Sequence, residues 1–341
     1  MVKGIMVISL KEIGEFGFIE MIKNSCPAKT GGLIKGIGDD CAVIGPFDGK
    51  ALLMSTDMMV EGVHFLLKSI SPYQLGQKAV AVNLSDIAAM GGTPLYILAS
   101  VAVPKDMDIG FLMSMYSGMK DMCSQYSVSI AGGDTSGSTG GMTVNITVIG
   151  EAAVNHILYR SGADVGDDIY VMGNLGDSCA GLKLIKREAT APKAIALILK
   201  TAHNRPVPML VEGQTIARSG LASAMIDISD GLVADLGHVC ENSKTGAKLF
   251  LKYLPLSEEL RVFARINNMD PYKLALSGGE DYALLITAPR KNREAITRMF
   301  DTEKLCKIHR VGKITADKSI EIVSHKNRQI FNYLHGFDHF A

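Results

Sequence analysis

The chain has 341 residues, more than one hydrophobic core usually serves, so two domains of roughly 150 residues each are expected. Lysine plus arginine total 35 and aspartate plus glutamate also total 35, which excludes the broad positive field of a sequence-independent nucleic-acid or anionic-membrane binder. Hydrophobic residues at 47% and charged residues at 21% exclude a disordered chain, and the balance favours a small-molecule partner.

The cysteines and the apolar segments indicate a cytoplasmic protein without a membrane span. The 6 cysteines include no CxxC pair and no closely spaced framework, so reduced thiols are expected. The apolar stretch Ile5–Leu10 is too short for a secretory signal, and Leu95–Pro104 falls well short of the roughly 20 residues that cross a bilayer.

The first half of the chain is predicted to form one α+β unit. In order, the pattern indicates a helix at Glu15–Asn24, a strand at Ala51–Met54, a helix at Pro72–Met90, a strand at Leu95–Val103, a helix near Ile109–Tyr126 and a strand at Met142–Ile149. The polar stretch Tyr159–Asp168 then interrupts the periodicity. We therefore predict an N-terminal domain over 1–155 and a C-terminal domain over 156–341.

The second half continues as alternating helices and strands. The predicted strands are Ile169–Met172, Ala224–Ile228, Ala247–Leu251, Tyr282–Thr287 and His309–Ile314. The predicted helices are Ser178–Lys186, Lys193–Thr201, Pro208–Ser219, Gly231–Glu241, Ser257–Asn267 and Lys291–Met299. Both halves are thus predicted to contain alternating helices and strands.

Acidic residues recur at predicted Gly-, Ser- or Thr-containing turns beside apolar runs in both halves. These segments are Gly36–Asp40, Ser55–Asp57, Asn83–Asp86, Gly132–Thr135, Asp227–Gly231 and Ser277–Asp281. Each alone is typical of a turn or a helix N-cap. Their recurrence at predicted strand and helix ends favours a shared ligand site, since an α/β scaffold presents ligand groups there.

Oxygen ligands without a His/Cys cluster indicate a site for a hard cation, Mg²⁺ before Zn²⁺. Because protein-bound Mg²⁺ commonly contacts the phosphates of a substrate, such a site indicates a phosphorylated ligand. The six aspartates Asp40, Asp57, Asp86, Asp134, Asp227 and Asp230 would repel a triphosphate unless several divalent ions, about three by valence, lay between them. The chain has no Walker A loop, no protein-kinase HRD set and no G-x-G-x-x-G segment, so any ATP site is of another type.

An ordered series of segments resembles the thiamine-monophosphate kinase family. These segments are GIGDDCAVI (36–44), STDMMVEGVHF (55–65), KAVAVNLSDIAAMGGTP (78–94), AGGDTS (131–136), RSGADVGDDIYV (160–171), IDISDGLVADLGH (226–238), ALSGGEDYALL (275–285) and GFDHF (336–340). The match runs from about Gly14 to the C-terminus. The family belongs to a superfamily with aminoimidazole ribonucleotide synthetase, selenophosphate synthetase and a hydrogenase-maturation protein.

The resemblance implies a two-domain α+β fold, a homodimer whose N-terminal sheets pair into a barrel, and ATP-dependent phosphorylation of thiamine monophosphate to thiamine diphosphate. It implies that several Mg²⁺ ions are bound by Asp40, Ser55, Thr56, Asp57, Asp86, Asp134, Asp227 and Asp230. It places Gly133, Asp134, Arg160 and Ser229 at the nucleotide. It places His64, Glu280 and Phe337 at the thiamine phosphate.

Direct in-line transfer without a general base is expected, since the acceptor is a phosphate oxygen that is mostly ionised at neutral pH. Phe337 has a stacking face but no hydroxyl. Each assignment also has a structural alternative: His64 as a partly buried histidine, Arg160 as a surface charge, Glu280 as a turn cap and Phe337 as an anchor of the C-terminal segment. Two other functions stay open, namely another ATP-dependent enzyme of the superfamily and a non-catalytic ATP- or Mg²⁺-binding protein.

Overall fold

The computed structural model describes residues 10–26, 31–324 and 328–329. The helices are α1 (Leu10–Ser25), α2 (Pro72–Ala89), α3 (Ile109–Gln125), α4 (Asp177–Ile185), α5 (Lys193–Asn204), α6 (Leu210–Ser219), α7 (Leu232–Ser243), α8 (Glu258–Ile266), α9 (Pro271–Ser277) and α10 (Arg293–Thr302). The strands are β1 (Leu33–Lys35), β2 (Ala42–Phe47), β3 (Lys50–Val60), β4 (Thr93–Pro104), β5 (Ser129–Ser138), β6 (Thr143–Ala153), β7 (Asp168–Met172), β8 (Ala224–Ile228), β9 (Gly246–Phe250), β10 (Ala283–Ala288), β11 (Ile308–Thr315), β12 (Ile320–Val323) and β13 (Arg328–Gln329).

The first sheet is drawn from the N-terminal half in the order β1-β2-β3-β6-β4-β5. The strands β4 and β5 pair in parallel through the crossover helix α3, whereas β3, β6 and β4 pair antiparallel. One face packs on α2 and α3, and the other exposes Met58, Tyr96 and Leu98. The sheet therefore has one buried face and one partly apolar exposed face.

The helix α2 lies at the centre of the molecule and is buried along most of its length. Its start is specified by Ser71, which accepts a hydrogen bond from the backbone N–H of Gln74 in a capping box, and by Pro72 at the first helical position. Apolar residues such as Leu75 and Leu84 are fully buried. The polar residues of α2 that are also buried must therefore find partners inside the protein.

The second sheet has the order β13-β12-β9-β11-β7-β10-β8 within the described part of the chain. Its pairs are antiparallel except β12 with β9. The strands β7, β8 and β10 are buried on both faces, which agrees with their continuous apolar sequences. The mixed helices and sheets confirm the predicted α+β class, while the boundary near residue 155 stays a prediction. No helix among residues 10–26 and 31–324 is long and apolar enough to span a bilayer.

Several acidic segments lie inside regular elements and not at turns, which corrects the sequence interpretation. Ser55–Asp57 lies within β3, Asn83–Asp86 within α2 and Gly132–Thr135 within β5. The pattern missed β5 because its glycines and serines have low strand propensity. At Gly133 a Cβ would come within 1.8 Å of the Ala99 carbonyl oxygen, so this glycine permits the close approach of β5 to β4.

Two glycines let α2 and α3 touch at their backbones. A Cβ at Gly76 would lie 1.9 Å from the Met115 carbonyl oxygen, and one at Gly118 would lie 1.9 Å from the Tyr73 carbonyl oxygen. Because both clashes are with backbone, Gly118→Ala is expected to lower the free energy of unfolding by about 3 kcal/mol, measured by urea denaturation.

The matched control is Gly237→Ala in α7, where a new Cβ meets no atom within 4 Å. Since alanine is the better helix former, this variant is expected to raise the free energy of unfolding by about 0.5–1 kcal/mol. Equal effects in the two variants would contradict the close α2–α3 contact.

Candidate functional site

A cavity of about 1500 Å³ is lined by residues from both halves of the chain. It exceeds the several hundred Å³ that a single small-molecule ligand usually occupies. Its lining includes Asp40, Ser55, Thr56, Asp57, His64, Asp86, Arg160, Asp227, Ser229, Asp230 and Glu280. Eleven of the predicted site residues therefore share one cavity, which has room for two ligands.

Three carboxylates form the most concentrated charge in the cavity. Asp40 follows β1, Asp86 lies in the last turn of α2 and Asp227 lies in β8. One oxygen of each lies within 4.8 Å of the others, and Asp40 and Asp227 are buried at 6% and 3% exposure. Sequence-distant acids thus converge on a point where one cation could contact all of them.

Short polar side chains hold these carboxylates in place. The Ser55 hydroxyl donates to Asp86, and the Ser85 hydroxyl donates to Asp227 Oδ2 at 2.6 Å. Asn83 Oδ1 accepts the backbone N–H of Asp57 at 3.0 Å. The helix α2 therefore fixes one acid on β3 and another on β8 while it contributes Asp86 itself.

Arg160 faces the cluster from the segment between the two sheets. Its Nε and Nη2 donate to Asp40 Oδ1 at 3.1 and 2.6 Å, and its backbone N–H donates to Asp39 Oδ1 at 3.1 Å. Burial alone would lower the pKa of Arg160, but Asp40 outweighs it and the net shift is upward. The guanidinium therefore stays charged beside the acids.

The carboxylates hold their protons more tightly than isolated aspartates. Burial raises the pKa of Asp40 to about 7; Arg160 opposes this shift and Asp227 adds to it. Burial likewise raises the pKa values of Asp57 and Asp227 to about 6 each. The pKa of Asp86 is raised well above its ordinary value by burial and by Asp57. Without a compensating cation, several negative charges at this point are unfavourable.

The expected Mg²⁺ ions fit this donor set. Asp40 Oδ2 is buried and has no hydrogen-bond partner among the described residues. Such an orphaned carboxylate oxygen is costly unless a ligand satisfies it. The cluster offers only oxygen donors, as Mg²⁺ prefers. Asp40, Asp86 and Asp227 are thus the residues that would hold the first ion.

The turn after β8 presents Ser229 and Asp230 to the same cavity. The backbone N–H groups of Asp230 and Gly231 donate to Asp235 Oδ2 at 3.2 and 3.0 Å. Asp235 is 2% exposed, and burial raises its pKa well above the ordinary value. It fixes the turn, so the side chains of Ser229 and Asp230 are presented at the start of α7.

His64 and Glu280 lie together in another part of the cavity. His64 Nδ1 accepts the Val60 backbone N–H at 3.0 Å, so a neutral His64 ring carries its proton on Nε2. Glu280 lies after α9 in the left-handed region, with φ 62°, and its N–H donates to the Ser229 carbonyl at 2.7 Å. Lys78 Nζ contacts both the His64 carbonyl, at 3.3 Å, and Glu280 Oε1, at 3.0 Å, so these two predicted substrate-binding residues are neighbours.

Within the described part of the chain, two predicted site residues do not line the cavity. Asp134 and Gly133 lie on the exposed edge strand β5, and neither lines the cavity. Thr56 lines the cavity, but its hydroxyl contacts Thr147 Oγ1 at 3.0 Å and Ile146 O at 3.2 Å on β6. Phe337 lies outside the described residues.

The sequence interpretation missed residues that support the site. Three of them, Asp39, Ser85 and Asp235, lie inside the recognised segments. Each has a side chain that can accept or donate a hydrogen bond and lies close in sequence to a predicted ligand, and this could have identified them. Lys78 also lies in such a segment, as the single lysine or arginine of α2. His203, which lines the cavity from α5, has no local sequence signal at all.

Family models match both halves of the chain. The N-terminal domain of AIR synthase related protein matches residues 38–152, and the C-terminal domain matches residues 164–325. The thiamine-monophosphate kinase of Buchnera aphidicola subsp. Schizaphis graminum is 39% identical over 96% of this chain and 99% of that protein. The chain belongs to the thiamine-monophosphate kinase family. It is accordingly an enzyme, a phosphotransferase, with the two-domain AIR synthase-like fold.

Solved structures agree with this membership. The structure described as AaThiL complexed with AMPPCP and TMP has a TM-score of 0.84 and 33% identity, and the match covers 98% of this chain and 100% of that one. The thiamine monophosphate kinase of Aquifex aeolicus has a TM-score of 0.79 and 32% identity over 94% of this chain and 99% of that one. Both the predicted family and the predicted fold class are confirmed.

Proposed function

We propose that this chain transfers the γ-phosphoryl group of ATP to thiamine monophosphate, with formation of thiamine diphosphate and ADP. The convergence of Asp40, Asp86 and Asp227 beside Arg160 carries the proposal, because an oxygen-donor cluster next to a fixed guanidinium suits two phosphorylated ligands. Family membership supports the choice of substrates, as does the related structure that holds AMPPCP and TMP.

The proposed Mg²⁺ ligands are the three carboxylates of this cluster and the oxygen-bearing residues around them. Asp40, Asp86 and Asp227 would hold Mg²⁺ together with Asp57, Asp230, Ser55 and Thr56, and all seven residues line the same cavity. Bound Mg²⁺ supplies the positive charge that lets two phosphorylated molecules approach each other. Ser55, Asn83 and Ser85 hold the acids in fixed positions, so little reorganisation is needed when the ligands bind.

The residues of this chain orient the reactants and do not accept a proton. The acceptor phosphate has a second pKa of about 6 and is mostly ionised at neutral pH, so no general base is required. Its oxygen attacks the γ-phosphorus, a new P–O bond forms, and the bond to the bridging oxygen of ADP breaks in line. Arg160 and Ser229 are assigned to the nucleotide, and His64 and Glu280 to the acceptor.

The remaining assignments concern the assembly. We propose that residues 1–155 and 156–341 act as the two domains around the cavity, with Gly133 and Asp134 at the nucleotide and Phe337 at the acceptor. The homodimer is proposed from the family resemblance. The exposed side chains of Met58, Tyr96 and Leu98 on the first sheet and the exposed edge strand β5 are compatible with sheet pairing between two copies.

A product assay tests the proposed function. The purified chain, incubated with ATP, Mg²⁺ and thiamine monophosphate, is expected to form thiamine diphosphate and ADP in equal amounts, as measured by chromatography. Thiamine, formylglycinamidine ribonucleotide and selenide in place of thiamine monophosphate serve as controls and are expected to give no phosphorylated or cyclised product. ATP binding without turnover would support the non-catalytic alternative, and turnover with another acceptor would support a different superfamily enzyme.

A further inference from the structure

A lysine is buried behind Glu280, which lines the cavity. The side chain of Lys78 on α2 is 1% exposed, and its Nζ lies 3.0 Å from Glu280 Oε1. The same Nζ donates to the backbone carbonyl of His64 at 3.3 Å. Burying an ammonium costs free energy even when it is paired, and an apolar residue often serves stability as well. Lys78 therefore has a role that a core side chain of the same size would not fill.

The second oxygen of Glu280 is held by a histidine. His203 Nδ1 lies 3.1 Å from Glu280 Oε2 and 3.0 Å from Ser178 Oγ. Burial lowers the pKa of His203 to about 4, and Lys78 adds to the shift, so the imidazole is neutral. An ionised carboxylate only accepts hydrogen bonds, so the neutral ring donates to Glu280 in the tautomer that carries its proton on Nδ1.

The two contacts together fix the carboxylate of Glu280. Burial would raise the pKa of Glu280, but Lys78 and then His203 outweigh it and the net shift is downward. The side chain remains 23% exposed and lines the cavity. Each oxygen of Glu280 lies beside one nitrogen of the protein, Lys78 Nζ or His203 Nδ1, and a carboxylate oxygen has a second lone pair for a ligand. The result is a rigid, negatively charged acceptor next to His64.

We propose that Lys78 and His203 are positioning residues that hold the Glu280 carboxylate towards the cationic, amine-bearing end of the acceptor molecule. The inference rests on the proposed function, in which the acceptor carries a positively charged thiazolium ring and an aminopyrimidine. A fixed carboxylate suits such a ligand because its hydrogen bonds and charge are in place before binding. ATP has no positively charged ring, so the charge of a fixed carboxylate is expected to favour the acceptor and not the nucleotide.

Kinetics of substituted enzymes separates this role from a general structural one. Lys78→Met keeps the length of the side chain and removes the charge. The KM for thiamine monophosphate is expected to rise about tenfold, which corresponds to loss of one charge-assisted hydrogen bond, while the KM for ATP stays within about twofold. Lys50→Met, which removes the surface pair with Glu151, is the matched control and is expected to change neither constant.

His203 provides an independent pair of variants. His203→Leu removes the donor to Glu280 and is expected to raise the KM for thiamine monophosphate by about tenfold. His203→Asn returns an N–H near the position of Nδ1 and is expected to recover most of that loss. In a Glu280→Gln background, Lys78→Met is expected to add no further increase, because the partner through which it acts is already neutral.

The outcomes are distinct. Unchanged KM for thiamine monophosphate in folded Lys78→Met and His203→Leu enzymes would overturn the inference, and so would an equal rise in both KM values. If Lys78→Met does not fold, the His203 pair decides. The wild-type enzyme tests the proposed function separately by its products. If it forms no thiamine diphosphate, calorimetric titration with thiamine monophosphate decides the inference: weaker binding to the variants supports it, and no binding to the wild type overturns it.

Discussion

Replacement of Asp86 by asparagine is expected to lower kcat for thiamine diphosphate formation by about 1,000-fold, or about 4 kcal/mol of transition-state stabilisation. The change keeps the shape of the side chain and an acceptor for the Ser55 hydroxyl, but removes one of three charges that converge within 4.8 Å. Loss of that charge weakens the proposed Mg²⁺ site without disturbing α2. A coupled assay of ADP release at saturating ATP measures the effect.

The same substitution is expected to stabilise the metal-free protein. Burial and the neighbouring acids raise the pKa of Asp86, so its charge opposes folding when no cation is present. The melting temperature in EDTA should therefore rise while activity falls. The control is Asp121→Asn at an exposed position of α3, where the carboxylate accepts a hydrogen bond from the Tyr73 hydroxyl, and it should leave kcat unchanged. Near-normal kcat in Asp86→Asn would contradict the metal cluster.

Removal of Mg²⁺ is expected to destabilise the enzyme increasingly as the pH rises. The pKa values of Asp57 and Asp227 are raised by burial to about 6 and that of Asp40 to about 7, from an ordinary value of 3.8. Between the ordinary pKa and the raised pKa of each group, the folded state binds more protons than the unfolded state. The contribution of these groups to the free energy of unfolding therefore falls as the pH rises. Their contribution is fully present below about pH 4 and is lost by about pH 7.

Bound Mg²⁺ would replace the lost protons, so the increase in melting temperature on adding Mg²⁺ should grow from about pH 5 to about pH 8. Differential scanning fluorimetry with Mg²⁺ and with EDTA at each pH measures this increment. Because it is a difference at one pH, the effects of groups that titrate elsewhere in the chain cancel. Asp40→Asn should flatten the dependence. An increment that is the same at both ends of the range would contradict the assignment.

Helices and strands whose ends are marked by capping or turn residues were predicted from the sequence. Those whose conformation depends on tertiary contacts were missed. The helix α2 was predicted to within one residue at its C-terminus because Ser71 and Pro72 mark its start and its apolar run is continuous. The strand β5 was missed because its glycines suggest turns. Its strand conformation depends on parallel pairing with β4, where Gly133 meets Ala99.

The site was predictable to the extent that its residues occur in recognisable segments. Asp40, Asp86 and Asp227 were all identified from their segments, and the structure brings them together. Their convergence depends on packing of α2 between the two sheets, which no local pattern encodes. His203 was not predictable for the same reason, since its proximity to Glu280 arises only when α5 packs beside the loop after α9.

Anomalous diffraction at the manganese edge tests most directly whether the carboxylates form a metal centre. Crystals of the enzyme would be grown with Mn²⁺, a non-hydrolysable ATP analogue and thiamine monophosphate. The proposed function predicts an anomalous peak between Asp40, Asp86 and Asp227, in contact with phosphate oxygens of the nucleotide. Both ligands bound in the cavity with no peak at these carboxylates would contradict it.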